Sequence, residues 1–153
     1  MILREQTCVA ATTEQVWAVL TDPGLMSLWN PHCVCTAGAG LALRVGLRFQ
    51  AVMRFRRGPE RTLDCDVTEC RPGQRLTLRF SGEALPGRAG HMDETFVLQP
   101  VHGGTDILHI ADFSHAGLPW FLKAIMKVMH RFGRKEGKSP LDGLKELAEG
   151  SDA

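Results

Sequence analysis

Residues 117–150 read GLPWFLKAIMKVMHRFGRKEGKSPLDGLKELAEG. Apolar side chains fall at Leu118, Phe121, Leu122, Ile125, Met126, Val128, Met129 and Phe132. That is the i, i+3, i+4, i+7 rhythm of a helix with one apolar stripe. Lys123, Lys127, His130, Arg131, Arg134 and Lys135 fill most of the other positions. Pro119 suits a first turn, where its missing N–H costs nothing. The rhythm resumes through Leu141, Leu144, Leu147 and Ala148. The stripe is wide and rich in Met, a side chain that fills irregular space. Such a helix calls for a large concave partner, and the chain before it supplies a run of strands.

The first of these is read at Ile2 to Ala10. A helix then starts near Ala11, with Thr12 or Thr13 as its cap and Val16, Trp17, Val19 and Leu20 as its apolar face. Asp22-Pro23-Gly24 breaks it. A second short helix, Leu25 to Trp29, stops before Asn30-Pro31, because the residue before a proline avoids helical geometry. From there to Ser114 the period is two. One face carries Leu47, Phe49, Ala51, Met53 and Phe55, then Leu63, Cys65 and Val67, then Leu76, Leu78 and Phe80, then Glu94, Phe96 and Leu98, and last Ile107, His109, Ala111 and Phe113. Gly58-Pro59, Arg71-Pro72-Gly73-Gln74 and Val101-His102-Gly103-Gly104 are turns. Strands this close in sequence pair antiparallel. Residues 34–45 leave room for one more strand. The Gly/Pro-rich loop Ser81 to Gly90 is expected to flank the mouth of any cavity, with Leu85 able to cover it.

Composition bounds what such a chain can do. Its 153 residues suffice for a single domain, residues 1–150, with a core. A formal net charge of +1 gives no field for nucleic acid. No apolar run is long enough for a membrane span, and the N-terminus lacks the form of a signal peptide. Cys8, Cys33, Cys35, Cys65 and Cys70 are odd in number and scattered, which fits reduced thiols and a cytoplasmic protein. His32-Cys33-x-Cys35 lacks the Cys-x2-Cys spacing of zinc sites, so no metal is expected. Neither a phosphate loop nor a nucleophile elbow is present, and no cofactor is called for.

The order strand, two short helices, several strands, C-terminal helix resembles the SRPBCC superfamily, the helix-grip fold of START domains and polyketide cyclase/dehydrase-like proteins. The residues that carry the resemblance are Ala11 to Pro23 with Trp29-Asn30-Pro31, the Pro-Gly turn in Glu69 to Leu76, the last hairpin from Phe96 to Phe113, and Leu141 to Leu147. The resemblance implies an α+β domain whose curved antiparallel sheet of about six to seven strands wraps a long C-terminal helix. It also implies a small hydrophobic ligand, a lipid or an aromatic molecule, held between sheet and helix. A homodimer is compatible with it. One departure stands out. Gly133, Gly137, Pro140 and Gly143 interrupt the long helix, and Ser139-Pro140-Leu141-Asp142 reads as a fresh helix start.

The inner face defines the candidate site. Trp29, Phe49, Met53, Phe55, Leu78, Phe80, Phe96, Phe113, Phe121, Ile125 and Met129 are expected to line or close the cavity. Side chains alternate along a strand, so Phe96 and Leu98 facing inward bring Glu94 with them, and Ile107 brings His109. Glu94 and His109 then lie opposite or diagonal, within reach of each other. They could serve as general acid and base in a cyclase or dehydratase. They could equally be a structural pair, or a polar handle for a bound molecule. A chaperone-activator-like interaction module is the remaining alternative on this fold.

Overall fold

The computed structural model describes residues 1–38, 40–54, 58–82, 90–117, 121, 124, 125, 127, 128 and 138–150. Strand β1 spans Ile2–Val9 and leads into helix α1, Thr13–Leu20. Thr12, one of the two caps the sequence offers, caps α1. Its hydroxyl accepts from the Gln15 N–H, and the Gln15 side chain accepts from the Thr12 N–H. This reciprocal pair satisfies two donors that a helix start otherwise leaves open. A 3-10 turn at Pro23–Leu25 and the one-turn helix α2, Met26–Trp29, follow. Strands β2 (Cys33–Thr36), β3 (Arg48–Met53), β4 (Arg61–Arg71), β5 (Arg75–Ser81), β6 (His91–Val101) and β7 (Gly104–Asp112) come next. Helix α3, Pro140–Gly150, closes the described chain.

The seven strands form one antiparallel sheet in the order β1-β7-β6-β5-β4-β3-β2. The uncertain stretch after Asn30 does hold a strand, β2, on the sheet's edge. Pro72 and Gly73 make the β4–β5 turn, and Gly73 takes a φ of 71°. Only glycine adopts that region without strain.

The register sorts the two faces. Phe49, Ala51, Met53, Leu63, Cys65, Val67, Leu76, Leu78, Phe80, Met92, Phe96, Leu98 and Ile107 are buried in one core. The opposite face carries a row of charges in direct register: Arg48 beside Asp66, Asp66 beside Arg79, and Arg79 beside Asp93. Arg48 and Asp66 meet at 2.7 Å and Arg79 and Asp93 at 2.8 Å. Opposite charges facing each other across strands favour this pairing, weakly where the partners are as exposed as Arg48. A slip by one residue would bury this row, so it also holds the register.

Helix α3 begins where the sequence predicts a fresh start. The Asp142 N–H donates to the Ser139 hydroxyl, and the Ser139 N–H donates to the Asp142 carboxylate. Ser139→Ala is expected to remove about 1 kcal/mol of stability, read as a fall of about 2–4 °C in Tm for a chain of this length. Leu141, Leu144 and Ala148 are buried, and α3 packs against α1, α2 and β1. The last turn is tied down where the Ala10 N–H donates to Glu149.

Two expectations need correction. The apolar stripe of residues 118–132 was expected to face the sheet, yet Phe121, Ile125 and Val128 are 49%, 51% and 58% exposed. At about 100° per residue, these three cluster within about 60° of one another, so they share one face, and that face is open to solvent. Trp17, expected in the core, is only half-buried and packs against its edge. Phe55, Met129, Trp120 and the 83–89 part of the loop, with Leu85, lie outside the described residues.

Candidate functional site

Strands β6 and β7 position the site. Phe96 is the cross-strand partner of His109, and Glu94 that of Ala111. Glu94 therefore sits diagonally from His109 on the inner face. The separation from Glu94 Oε2 to His109 Nε2 is 3.8 Å. That exceeds a hydrogen bond, and a shift of under 1 Å would make one. Both residues are deeply buried, at 7% and 6% exposure.

The aromatic residues around the pair fix its shape. The Phe96 and His109 rings stack at 4.6 Å with planes 11° apart. Trp29 meets Phe96 edge-on at 5.6 Å. Buried aromatic pairs of this kind add about 0.5–1.5 kcal/mol each beyond area burial. Trp29 arrives here because α2 ends at Asn30, whose carboxamide oxygen accepts from the His32 N–H and whose carbonyl accepts from the Cys33 N–H. The indole and the imidazole thus reach one place from distant parts of the chain, with Phe96 between them.

Four side-chain atoms in this group are buried with no hydrogen-bond partner among the described residues: Trp29 Nε1, Asn30 Nδ2, Glu94 Oε2 and His109 Nε2. Buried polar atoms are nearly always paired, and an unpaired one costs about 1–3 kcal/mol. Two of them, Glu94 Oε2 and His109 Nε2, face each other at 3.8 Å, and Trp29 reaches the pair through Phe96.

Glu94 is also felt by two thiols. Burial, then Cys35 and then Glu94 push the Cys33 thiol up to about 11. Burial, then chiefly Glu94, push Cys65 up as well. Both thiols stay protonated near neutral pH and are inert there. In the folded protein, iodoacetamide at pH 8 is expected to label the exposed Cys8 and Cys35 and to spare Cys33 and Cys65 until denaturant is added. Peptide mass mapping reads the pattern, and labelling of Cys65 under native conditions would contradict this placement.

Of the expected lining residues, Trp29, Phe49, Met53, Leu78, Phe80 and Phe96 are buried on the inner face, and Phe113 is partly buried beside it. Phe121 and Ile125 are half exposed. Asn30 and Cys33, noted above only for the resemblance and as a thiol, are buried near Trp29, and Glu5, which no motif marks, is the half-buried cross-strand partner of His109 in β1. A hollow of about 490 Å³ lies apart from the Glu94–His109 pair, at the β6–β7 turn, lined among others by Thr12, Gln15, Pro100 and Gly104. It contains none of the four unpartnered atoms.

The family model described as polyketide cyclase / dehydrase and lipid transport matches residues 2–149. The chain belongs to this family. Solved structures share its fold. A crystal structure from Mesorhizobium loti is 19% identical, with a TM-score of 0.69 and full coverage of both chains. One from Nitrosomonas europaea is 22% identical, covers 99% of this chain and 96% of its own, and has a TM-score of 0.68. A protein of the dynemicin biosynthetic locus is 20% identical with a TM-score of 0.60 over 99% of this chain and 47% of that one. No curated protein matches the chain. No helix among the described residues is long and apolar enough to cross a membrane.

Proposed function

We propose that the protein binds a small hydrophobic or aromatic molecule between the sheet and the C-terminal helical region, with Glu94 and His109 at its polar end. Trp29, Phe49, Met53, Leu78, Phe80 and Phe96 supply apolar walls. Sites of this composition, mostly apolar with a few convergent polar groups, are the usual form of small-molecule pockets. The observation that carries the proposal is that Glu94 Oε2 and His109 Nε2, 3.8 Å apart beside the Phe96 ring, are buried with no hydrogen-bond partner among the described residues. The fold family adds weight, since its description names both ring-forming enzymes and lipid carriers.

Native mass spectrometry of the purified protein tests this. A small molecule retained under gentle ionisation and lost on denaturation is the expected result. A protein that carries nothing, and shows no thermal shift across a library of apolar ring compounds, would refute the proposal.

A second reading, a cyclase or dehydratase, is favoured by the 3.8 Å approach of the two titratable side chains. A carboxyl and an imidazole this close, both deeply buried, can take a proton from one carbon or oxygen and return it to another. Both readings place the same molecule in the same interior and differ in what Glu94 does to it.

A further inference from the structure

Strand β6 begins at His91, and the chain leaves β7 through Phe113 to Gly117. The two places meet at close range. The His91 N–H donates to the His115 carbonyl at 3.1 Å. A Cβ on Gly90 would stand 2.9 Å from the carbonyl carbon and oxygen of Ala116 and 3.0 Å from the His115 carbonyl oxygen, so the backbones approach as only glycine allows. Ala116 is buried, and its N–H closes the turn onto the Phe113 carbonyl at 3.1 Å. Across this junction the His91 and His115 rings stack at 4.8 Å with planes 22° apart.

Water reaches both rings, since His91 is half-buried and His115 exposed. Histidine is the side chain that changes charge between about pH 5 and 8. One proton sets a cation against a neutral ring, which an aromatic face tolerates. Two protons set like charges 4.8 Å apart, and the stack repels. The surroundings do not cancel this. Asp93 is held by Arg79 at 2.8 Å and faces Asp112 across β6 and β7. The Met1 ammonium donates to the Ser114 hydroxyl at 3.2 Å. Burial opposes it, yet Ser114, then the Met1 ammonium and His115, hold the Asp112 carboxyl below its ordinary range. Ser81, the partner of His91 in β5, is uncharged. Among the described residues the pair is thus faced by two carboxylates already matched by a guanidinium and an ammonium. A second proton meets no spare anion.

We infer that His91 and His115 form a proton-operated clasp, which holds the exit of β7 against the start of β6 while stacked and releases it when both rings are protonated. The hold is complete above the histidine range and is lost as pH falls through it. Strand β6 carries Glu94 and β7 carries His109, so the clasp closes one end of the two strands that present the candidate site. The inference does not depend on what that site binds.

Amide hydrogen exchange of the whole protein, followed by NMR at pH 7.5 and pH 5, tests it. The reporters are the His91 and Ala116 N–H groups, and the reference is the Leu98 N–H, which donates to the Gln74 carbonyl away from the junction. Relative to the reference, protection of both reporters should fall by roughly fivefold at pH 5, the effect of like charges at this distance near a solvated surface. In His115→Phe, which keeps a ring in the stack and removes one of the two protons, protection should be the same at both pH values. Wild-type protection that is unchanged or higher at pH 5 would overturn the clasp. So would a fall in His115→Phe as large as in the wild type, because the proton would then act elsewhere. His91→Phe makes the same test from the other side of the stack, and the wild-type comparison decides even if neither variant folds.

Discussion

Gly143→Ala is expected to lower the melting temperature by about 6–12 °C, against the usual sign for such a change. In a helix interior, alanine normally gains about 1 kcal/mol over glycine. Gly143 lies in the first half of α3, and its N–H donates to the Ser139 carbonyl at 3.1 Å. A methyl group there would overlap the carbonyl oxygen of Trp29 and stand 2.8 Å from its carbonyl carbon. Those atoms are backbone and cannot rotate away. Either α3 lifts from α2, exposing Leu141 and Leu144, or the Trp29–Asn30 backbone gives way. Overpacking of this kind costs about 3 kcal/mol, and about 2–4 °C per kcal/mol applies at this chain length. Gly150→Ala is the control, because a methyl at Gly150 meets nothing within 4 Å. Thermal unfolding of both variants reads the difference. An unchanged or raised Tm for Gly143→Ala would show that α3 is not seated on Trp29 as described. The same contact links the C-terminal helix to the site, since Trp29 and Asn30 carry two of the four unpartnered atoms.

The strands were legible because their chemistry is local. Alternation over Phe49 to Met53, Leu63 to Val67 and Leu76 to Phe80 follows from one buried face, and the Pro72-Gly73 turn fixes how two of those strands meet. The placement of Glu94 and His109 on one face came from counting by two along β6 and β7, and their diagonal relation follows once the β6–β7 turn is set. The start of α3 was readable for the same reason, as Ser139, Pro140 and Asp142 act within one turn. What could not be read is what depends on contacts between distant segments. The exposure of Phe121, Ile125 and Val128 is of this kind, since helical spacing puts the three on one face and does not say what that face meets. Asn30 and Cys33 are marked in the sequence only as parts of Trp29-Asn30-Pro31 and of Cys33-x-Cys35, which does not foretell their burial. The seating of Gly143 on the Trp29 backbone joins segments more than a hundred residues apart. Glu5 was unreadable as a neighbour of His109, since β1 pairs with β7 from the far end of the chain.

Glu94→Gln separates carrier from catalyst. The amide keeps an oxygen acceptor and nearly the same shape, and it loses the capacity to exchange a proton. Its fold should survive, because the amide is nearly isosteric with the carboxyl group and opens no cavity. For a binding protein, affinity for the molecule recovered with it should fall by only about two- to tenfold, the worth of one altered hydrogen bond. For an enzyme, turnover should fall by about 10²–10⁴ while affinity changes no more than that. His109→Gln adds a second test of the same kind. If the two residues hand one proton between them, either substitution alone should remove most of the rate, and the double variant should lose little more, because groups that act as a unit are not additive. Affinity losses that add while the recovered molecule passes through unchanged would identify two independent contacts. The protein would then be a carrier whose Glu94 and His109 orient the ligand.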